Sequence, residues 1–258
     1  MKNYFNLRRF GLLFRKHTVE NYKSYLMSLI VLVGIMALVM GFVAYTSSGK
    51  LVTGIQDLFF MLFLVGAGTV FTSTVFSDLG DQKKAIAFLT LPASLFEKYL
   101  VAWIYSFLIY LLIYVPAFYL VVTVIISIGG GVDQDTELLK LFGPHSNVDK
   151  VIFMYAFLHA VSLVGAVFFR KVHFIKTVFI LFLGFFVLIV LNKLLLQAML
   201  GHDNLSAIPL SGATIIEDGQ GYKLGVPDAD LPFTWIVAIV FIVIIWAASY
   251  FKLKEKQV

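Results

Sequence analysis

The sequence lacks cysteine, and it has little charge of either sign: Asp, Glu, Lys and Arg together make up 14% of its 258 residues. Without cysteine there are no disulfides, iron–sulfur clusters or cysteine–zinc sites. Soluble domains carry about 25% charged residues and are about half apolar. Here 60% of residues are hydrophobic and mean hydropathy is +0.92. A soluble core has no use for that much apolar surface, whereas a bilayer requires it on the outside of the protein as well as the inside.

Also missing is the Gly-x-x-x-x-Gly-Lys-[Ser/Thr] pattern that cradles nucleotide phosphates, so the chain is not expected to bind ATP itself. There is no His-Glu-x-x-His and no other metal-spaced histidine cluster; His17, His145, His159, His173 and His202 are scattered. Ser211-Gly212 has no partnering histidine motif on another span, which argues against a serine-protease reading. Gly129-Gly130-Gly131 reads as a flexible exit from a span rather than a phosphate loop. The expectation is a non-enzyme with no cofactor of its own, and no residue is assigned to chemistry.

What the sequence does have is six apolar stretches, at about 26–46, 58–77, 99–128, 151–169, 175–200 and 232–251. Each meets or approaches the ~20 residues needed to cross ~30 Å of hydrocarbon as a helix. The fold expected is therefore all-α: one transmembrane domain over 1–258 with six spans. Pro116 is a candidate kink in the long third span. The fourth is the shortest and carries His159, read as a neutral side chain bonded to a neighbouring helix. Gly66, Ala67 and Gly68 in the second span, and Ser162, Gly165 and Ala166 in the fourth, suit close helix packing.

Placing successive connecting segments on alternate sides separates the charges. One side collects Lys2, Arg8, Arg9, Arg15, Lys16, Lys23, Lys83, Lys84, Lys98, Arg170, Lys171, Lys176, Lys252, Lys254 and Lys256. The other holds Lys50, Lys140, Lys150 and Lys223, while Lys193 near the end of the fifth span is placed to snorkel. By the positive-inside rule the first side is cytoplasmic, which puts both termini inside. Cations gathered at span ends also explain the net charge of +5 without a nucleic-acid partner. The 25-residue polar segment ahead of the first span argues against a cleaved signal peptide.

Residues 4–22 read as an amphipathic interfacial helix. Leu7, Phe10 and Phe14 share one face; Arg8, Arg9, Arg15 and Lys16 share another, suited to anionic headgroups. Between the second and third spans, Asp81 can cap a short helix carrying Lys83, Lys84, Ile86, Phe88 and Leu89, which Leu91-Pro92 ends. Ser94 and Glu97 then form a capping-box pattern that opens the third span.

The stretch Phe76–Tyr99, with Leu-x-Leu-Pro-Ala-Ser-x-x-Glu-Lys at Leu89–Lys98, resembles the permease subunits of type-2 ABC exporters. The resemblance extends to the layout of the whole chain. It implies an elbow helix at 4–22, a coupling helix at about 81–90 and an outer segment at 201–231. It further implies docking of a separate cytosolic ABC ATPase on Asp81, Lys83, Lys84, Ile86, Phe88 and Leu89, with ATP on that partner. A homo- or heterodimer of permease subunits in the plasma or inner membrane, acting in export, is implied as well. The outer segment departs from the family pattern, being too rich in Gly, Pro and acids for re-entrant helices except over 201–215. The alternative is a membrane scaffold or accessory subunit without a transport path.

Overall fold

A backbone in hydrocarbon must satisfy its own N–H and C=O groups, and a helix does this within one segment. The computed structural model describes residues 5–47, 51–76, 86, 90–129, 138–140, 148–169, 172–201, 205–207, 213–217, 220–224 and 232–256. Six helices in this set are long and apolar enough to cross a membrane. They are α1 (Leu7–Thr46), α2 (Thr53–Thr74), α3 (Leu95–Ile128), α4 (Val148–Phe168), α5 (His173–Leu200) and α6 (Pro232–Glu255). The chain is thus a helical, multi-pass membrane protein.

The expected interfacial helix and the first span are one uninterrupted helix. At 1.5 Å per residue its 40 residues reach about 60 Å, twice the hydrocarbon thickness. No glycine or proline lies between Tyr22 and Leu26 to break it. In α3 the helix continues through Pro116, and a π-helical segment stands upstream at Ile104–Ile109.

Two compact units form, one from Met1–Phe174 with Ile245–Val258 and the other from Ile175–Ile244. The first unit is built around α4. Of the six spanning helices α4 is the most enclosed, with more than half of its apolar stretch buried, which is why a short span can carry a histidine. Met36, Met40, Phe60, Leu64, Tyr114, Phe118, Val122 and Tyr155 form one core cluster. A second gathers Phe76, Tyr99, Ala102, Leu163, Ala166, Val167 and Leu253.

Helix α2 packs on α4 at Gly68. A methyl group there would lie 2.9 Å from Tyr110 Cε1 and closer still to the Tyr155 ring. The small residues of these helices thus serve packing inside the unit at Gly68 and Ala166, while Gly66 faces open space. Tyrosines fasten α3 to α2. The Tyr114 hydroxyl donates to the Phe60 carbonyl at 2.7 Å, and the Tyr110 hydroxyl to the Phe63 and Leu64 carbonyls at 3.3 Å. A phenol in an apolar medium needs such an acceptor.

The two ends of this unit are chemically distinct. At one end Asn6 meets Glu97, Phe96 meets Tyr250, Phe76 packs with Leu253, and Lys252 lies 5.5 Å from the Phe168 ring centroid. The starts of α1 and α3 and the ends of α2, α4 and α6 therefore come together, as the charge split requires of the lysine- and arginine-rich segments. At the other end Gln56 is fully buried. It donates to the Leu51 carbonyl at 2.7 Å and accepts from the Leu139 N–H at 3.0 Å, and the Tyr119 hydroxyl donates to the Leu139 carbonyl.

In the second unit the 201–231 segment holds a small antiparallel sheet in the order β1 (Leu205–Ala207), β2 (Ala213–Glu217), β3 (Gln220–Leu224). Leu205 pairs with Ile215, and Glu217 with Gln220. Within 201–215, where the sequence allows a membrane dip, the described residues 205–207 and 213–215 are strands. Ala-Thr-Ile-Ile-Glu is rich in β-branched residues, and Asp218-Gly219 is a two-residue hairpin connection in sequence. The unit's helical residues, Ile175–Leu200 and Pro232–Ile244, expose rows of Phe, Leu, Ile and Val, as lipid-facing helices do.

Candidate functional site

Two helix starts meet on one carboxylate. Ser94, in extended backbone, caps α3: its Oγ accepts the Glu97 N–H at 3.2 Å, and Glu97 Oε2 accepts the Ser94 N–H at 2.8 Å. The expected capping box is therefore present. At the start of α1, Asn6 Oδ1 accepts the N–H groups of Arg8 and Arg9 at 3.0 and 3.3 Å. The Asn6 N–H in turn donates to Glu97 Oε1 at 2.8 Å. Arg9 closes the arrangement with both arms of its fork, Nε to Oε2 at 2.7 Å and Nη2 to Oε1 at 2.8 Å.

Each Glu97 oxygen thus accepts two N–H groups, and the side chain is fully buried. A buried charge is tolerated when it is paired and its lone pairs are filled, and both conditions hold here. Two helix N-termini, each a partial positive charge, also converge on it. Glu97 lies ahead of the 99–128 span. Burial pushes its carboxyl up, but Arg9 and the Asn6 and Ser94 amides outweigh burial and hold it near 2, well below the usual 4.5. Phe5 stacks edge-on against Phe96, and Phe96 edge-on against Tyr250, covering the pair.

Lys98, the next residue, is 2% exposed. Burial lowers its ammonium pKa; the Glu97 charge opposes that effect and Lys16 adds to it. It borders a cavity of about 70 Å3 shared with Lys16, Glu20, Phe76 and Leu91.

Of the residues expected to dock an ATPase, Asp81, Lys83, Lys84, Phe88 and Leu89 lie outside the described residues. Ile86 is helical and 57% exposed, and the Thr90 hydroxyl donates to its carbonyl at 2.8 Å, one turn back. The basic quartet of α1 is divided. Arg9 turns to Glu97, while Arg8, Arg15 and Lys16 are exposed and Lys16 pairs with Glu20 at 3.6 Å. Of the apolar face, Leu7 is 77% exposed, Phe10 contacts Phe5, and Phe14 lies 4.8 Å from the Tyr105 ring centroid. The Arg9–Glu97 tie was not anticipated from the sequence. Its one signal is an acid on an otherwise basic flank, which needs a cation from another segment.

Deeper in the bundle, His159 bridges α3 and α6. An indole N–H only donates, so the bond from Trp246 Nε1 to His159 Nδ1 at 3.1 Å makes Nδ1 an acceptor. His159 Nε2 lies 2.9 Å from Ser106 Oγ, whose proton has the Ala102 carbonyl as acceptor at 2.8 Å. Nε2 therefore carries the proton, and the ring is neutral. The Tyr155 hydroxyl donates to the Ser106 carbonyl at 2.7 Å inside the widened π turn. This is the paired, neutral histidine that the sequence reading favoured.

No family model, no curated protein and no solved structure matches this chain.

Proposed function

We propose that the chain is the membrane-spanning permease subunit of an ATP-driven ABC transporter, an exporter, with both termini in the cytoplasm. The chain would work as a homo- or heterodimer, and ATP would bind a separate cytosolic ATPase docked on the segment between α2 and α3. The observation that carries this reading is the Glu97 tie. The segment resembling a coupling helix ends at Leu91-Pro92, and within five residues the chain is bound through Glu97 to the start of α1. A displacement of that segment is thereby passed to two membrane helices together, as rigid-body coupling between an ATPase and a membrane half needs.

The competing reading, a scaffold or accessory subunit without a path, draws on the buried polar groups. Ser106, Tyr155, His159 and Trp246 bond to one another or to backbone rather than opening onto a channel. Co-expression of the tagged chain with ABC ATPases of the same genome, beginning with any encoded beside it, distinguishes the two. A permease co-purifies with the ATPase in equal numbers and raises its ATP turnover in liposomes. A scaffold leaves ATP turnover unchanged.

A further inference from the structure

Helices α1, α2 and α3 enclose an apolar groove of about 430 Å3. Its walls are α1 from Phe14 to Leu32, α2 at Ala67 and Phe71, and α3 from Tyr105 to Tyr114. The length along α1 is about 27 Å, more than the ~15 Å depth of one leaflet. Lined chiefly by apolar and aromatic groups, it is of the size that holds a single apolar ligand.

The lining hydroxyls are already engaged: Ser28 donates to the Ser24 carbonyl, and Tyr110 and Tyr114 donate to α2 carbonyls. The Thr18 and Tyr105 hydroxyls share a hydrogen bond, and His17 Nε2 bonds the Tyr25 hydroxyl at 2.6 Å. Two exposed cations, Arg8 and Arg15, sit on the adjoining flank of α1. Seven residues apart, they stack almost two turns over one another, and Arg15 is about 60° around the helix from Thr18. The nearby acid, Glu20, points to the opposite flank and is paired with Lys16. The remaining arginine of this segment, Arg9, is held by Glu97. The groove therefore runs along the apolar spans of α2 and α3, with Arg8 and Arg15 beside its Phe14–Thr18 end.

We propose that this groove binds one anionic glycerophospholipid from the surrounding leaflet, with an acyl chain along the trough and its phosphate at Arg8 and Arg15. Charge complementarity selects an anionic headgroup, and the trough's position beside the apolar run of α1 selects a chain already in the bilayer. The site is independent of any ATPase, and its failure would leave the permease reading untouched.

The cysteine-free chain makes the test direct. A bimane reporter is placed on Ala67→Cys in the groove, or on Met27→Cys, at similar depth on the far flank of α1 and 65% exposed. Each labelled protein is reconstituted in phosphatidylcholine vesicles containing rising fractions of chain-brominated phosphatidylglycerol or chain-brominated phosphatidylcholine. The Ala67 reporter should be half-quenched at a fraction of phosphatidylglycerol on the order of tenfold lower than of phosphatidylcholine, and the Met27 reporter should show no preference. R8Q/R15Q should bring the Ala67 reporter to parity without changing the melting temperature, and Ile113→Trp should block its quenching by filling the trough. Equal quenching of the Ala67 reporter by both lipids overturns the proposal. So does shielding from both, which would mean that a second copy or a cargo molecule covers the groove.

Discussion

Arg9 and Glu97, 88 residues apart in sequence, form a two-armed ion pair in which both carboxylate oxygens are engaged and the carboxylate is fully buried. Removing Arg9 leaves Glu97 only the Asn6 and Ser94 N–H groups, whereas Arg9 without Glu97 still reaches water. Arg9→Ala leaves a buried carboxylate held by two backbone N–H groups and should cost about 3 kcal/mol, the low end for a broken buried pair. Glu97→Gln should cost less, about 1–3 kcal/mol, because the amide keeps an acceptor and Arg9 is one-third exposed and reaches water. Thermal melts in detergent rank the two; equal, negligible losses would show that the pair does not hold the helix starts together.

The same pair sets an acid limit. Glu97 is held near 2 against an ordinary 4.5, so the folded state binds fewer protons at this site than the unfolded state does. Its contribution is complete above pH 4.5 and fades as pH falls from there towards 2. Spin labels at Phe5 and Phe96, whose rings lie 6.1 Å apart, should hold their separation from pH 8 to 5 and part below about 3. In Glu97→Gln the acid-induced separation should disappear.

Gly68 makes a packing prediction with its own control. Gly68→Ala forces a methyl into Tyr155 and Tyr110 and should destabilise by about 1–3 kcal/mol. Gly66→Ala, two residues away and facing open space, should be close to neutral. Adding Tyr155→Leu to Gly68→Ala should recover part of the loss, a coupling that a double-mutant melt measures.

His159 is a fastener between α3 and α6. His159→Leu leaves the Trp246 N–H and the Ser106 hydroxyl short of a partner and should lower stability by about 1–3 kcal/mol. His159→Gln, whose amide offers both a donor and an acceptor, should lose less. A larger loss in Gln than in Leu would contradict the assigned pairing.

The reach of the sequence differed between parts of the molecule. Span number was legible because hydrocarbon demands ~20 apolar residues wherever a helix crosses, whatever packs beside it. The capping box at Ser94 was legible because its partners are three residues apart. The Arg9–Glu97 tie was not, since nothing in a single chain pairs residue 9 with residue 97 until the helices are placed. Amphipathic character over 4–22 suggests a separate element, but no breaker separates it from the span, and α1 runs unbroken from Leu7 to Thr46. Acids and glycines in 201–231 speak against re-entrant helices without announcing strands; the β-branched run at Ala213–Glu217 and the Asp218-Gly219 dipeptide are the hairpin signal. The π segment at Ile104–Ile109 has no counterpart in the local sequence, and the Tyr155 hydroxyl that binds within it comes from another helix.

Docking of an ATPase on the segment between α2 and α3 is the claim on which the function rests. The direct measurement is site-specific crosslinking from Lys84→Cys or Phe88→Cys, one at a time, in the complex with the co-expressed ATPase. A permease gives a crosslinked chain–ATPase band at both positions, and that band is lost from Lys84→Cys when Ile86 and Leu89 are changed to Asp. If neither position crosslinks while the ATPase is present and active, the segment is not a coupling helix and the permease assignment fails.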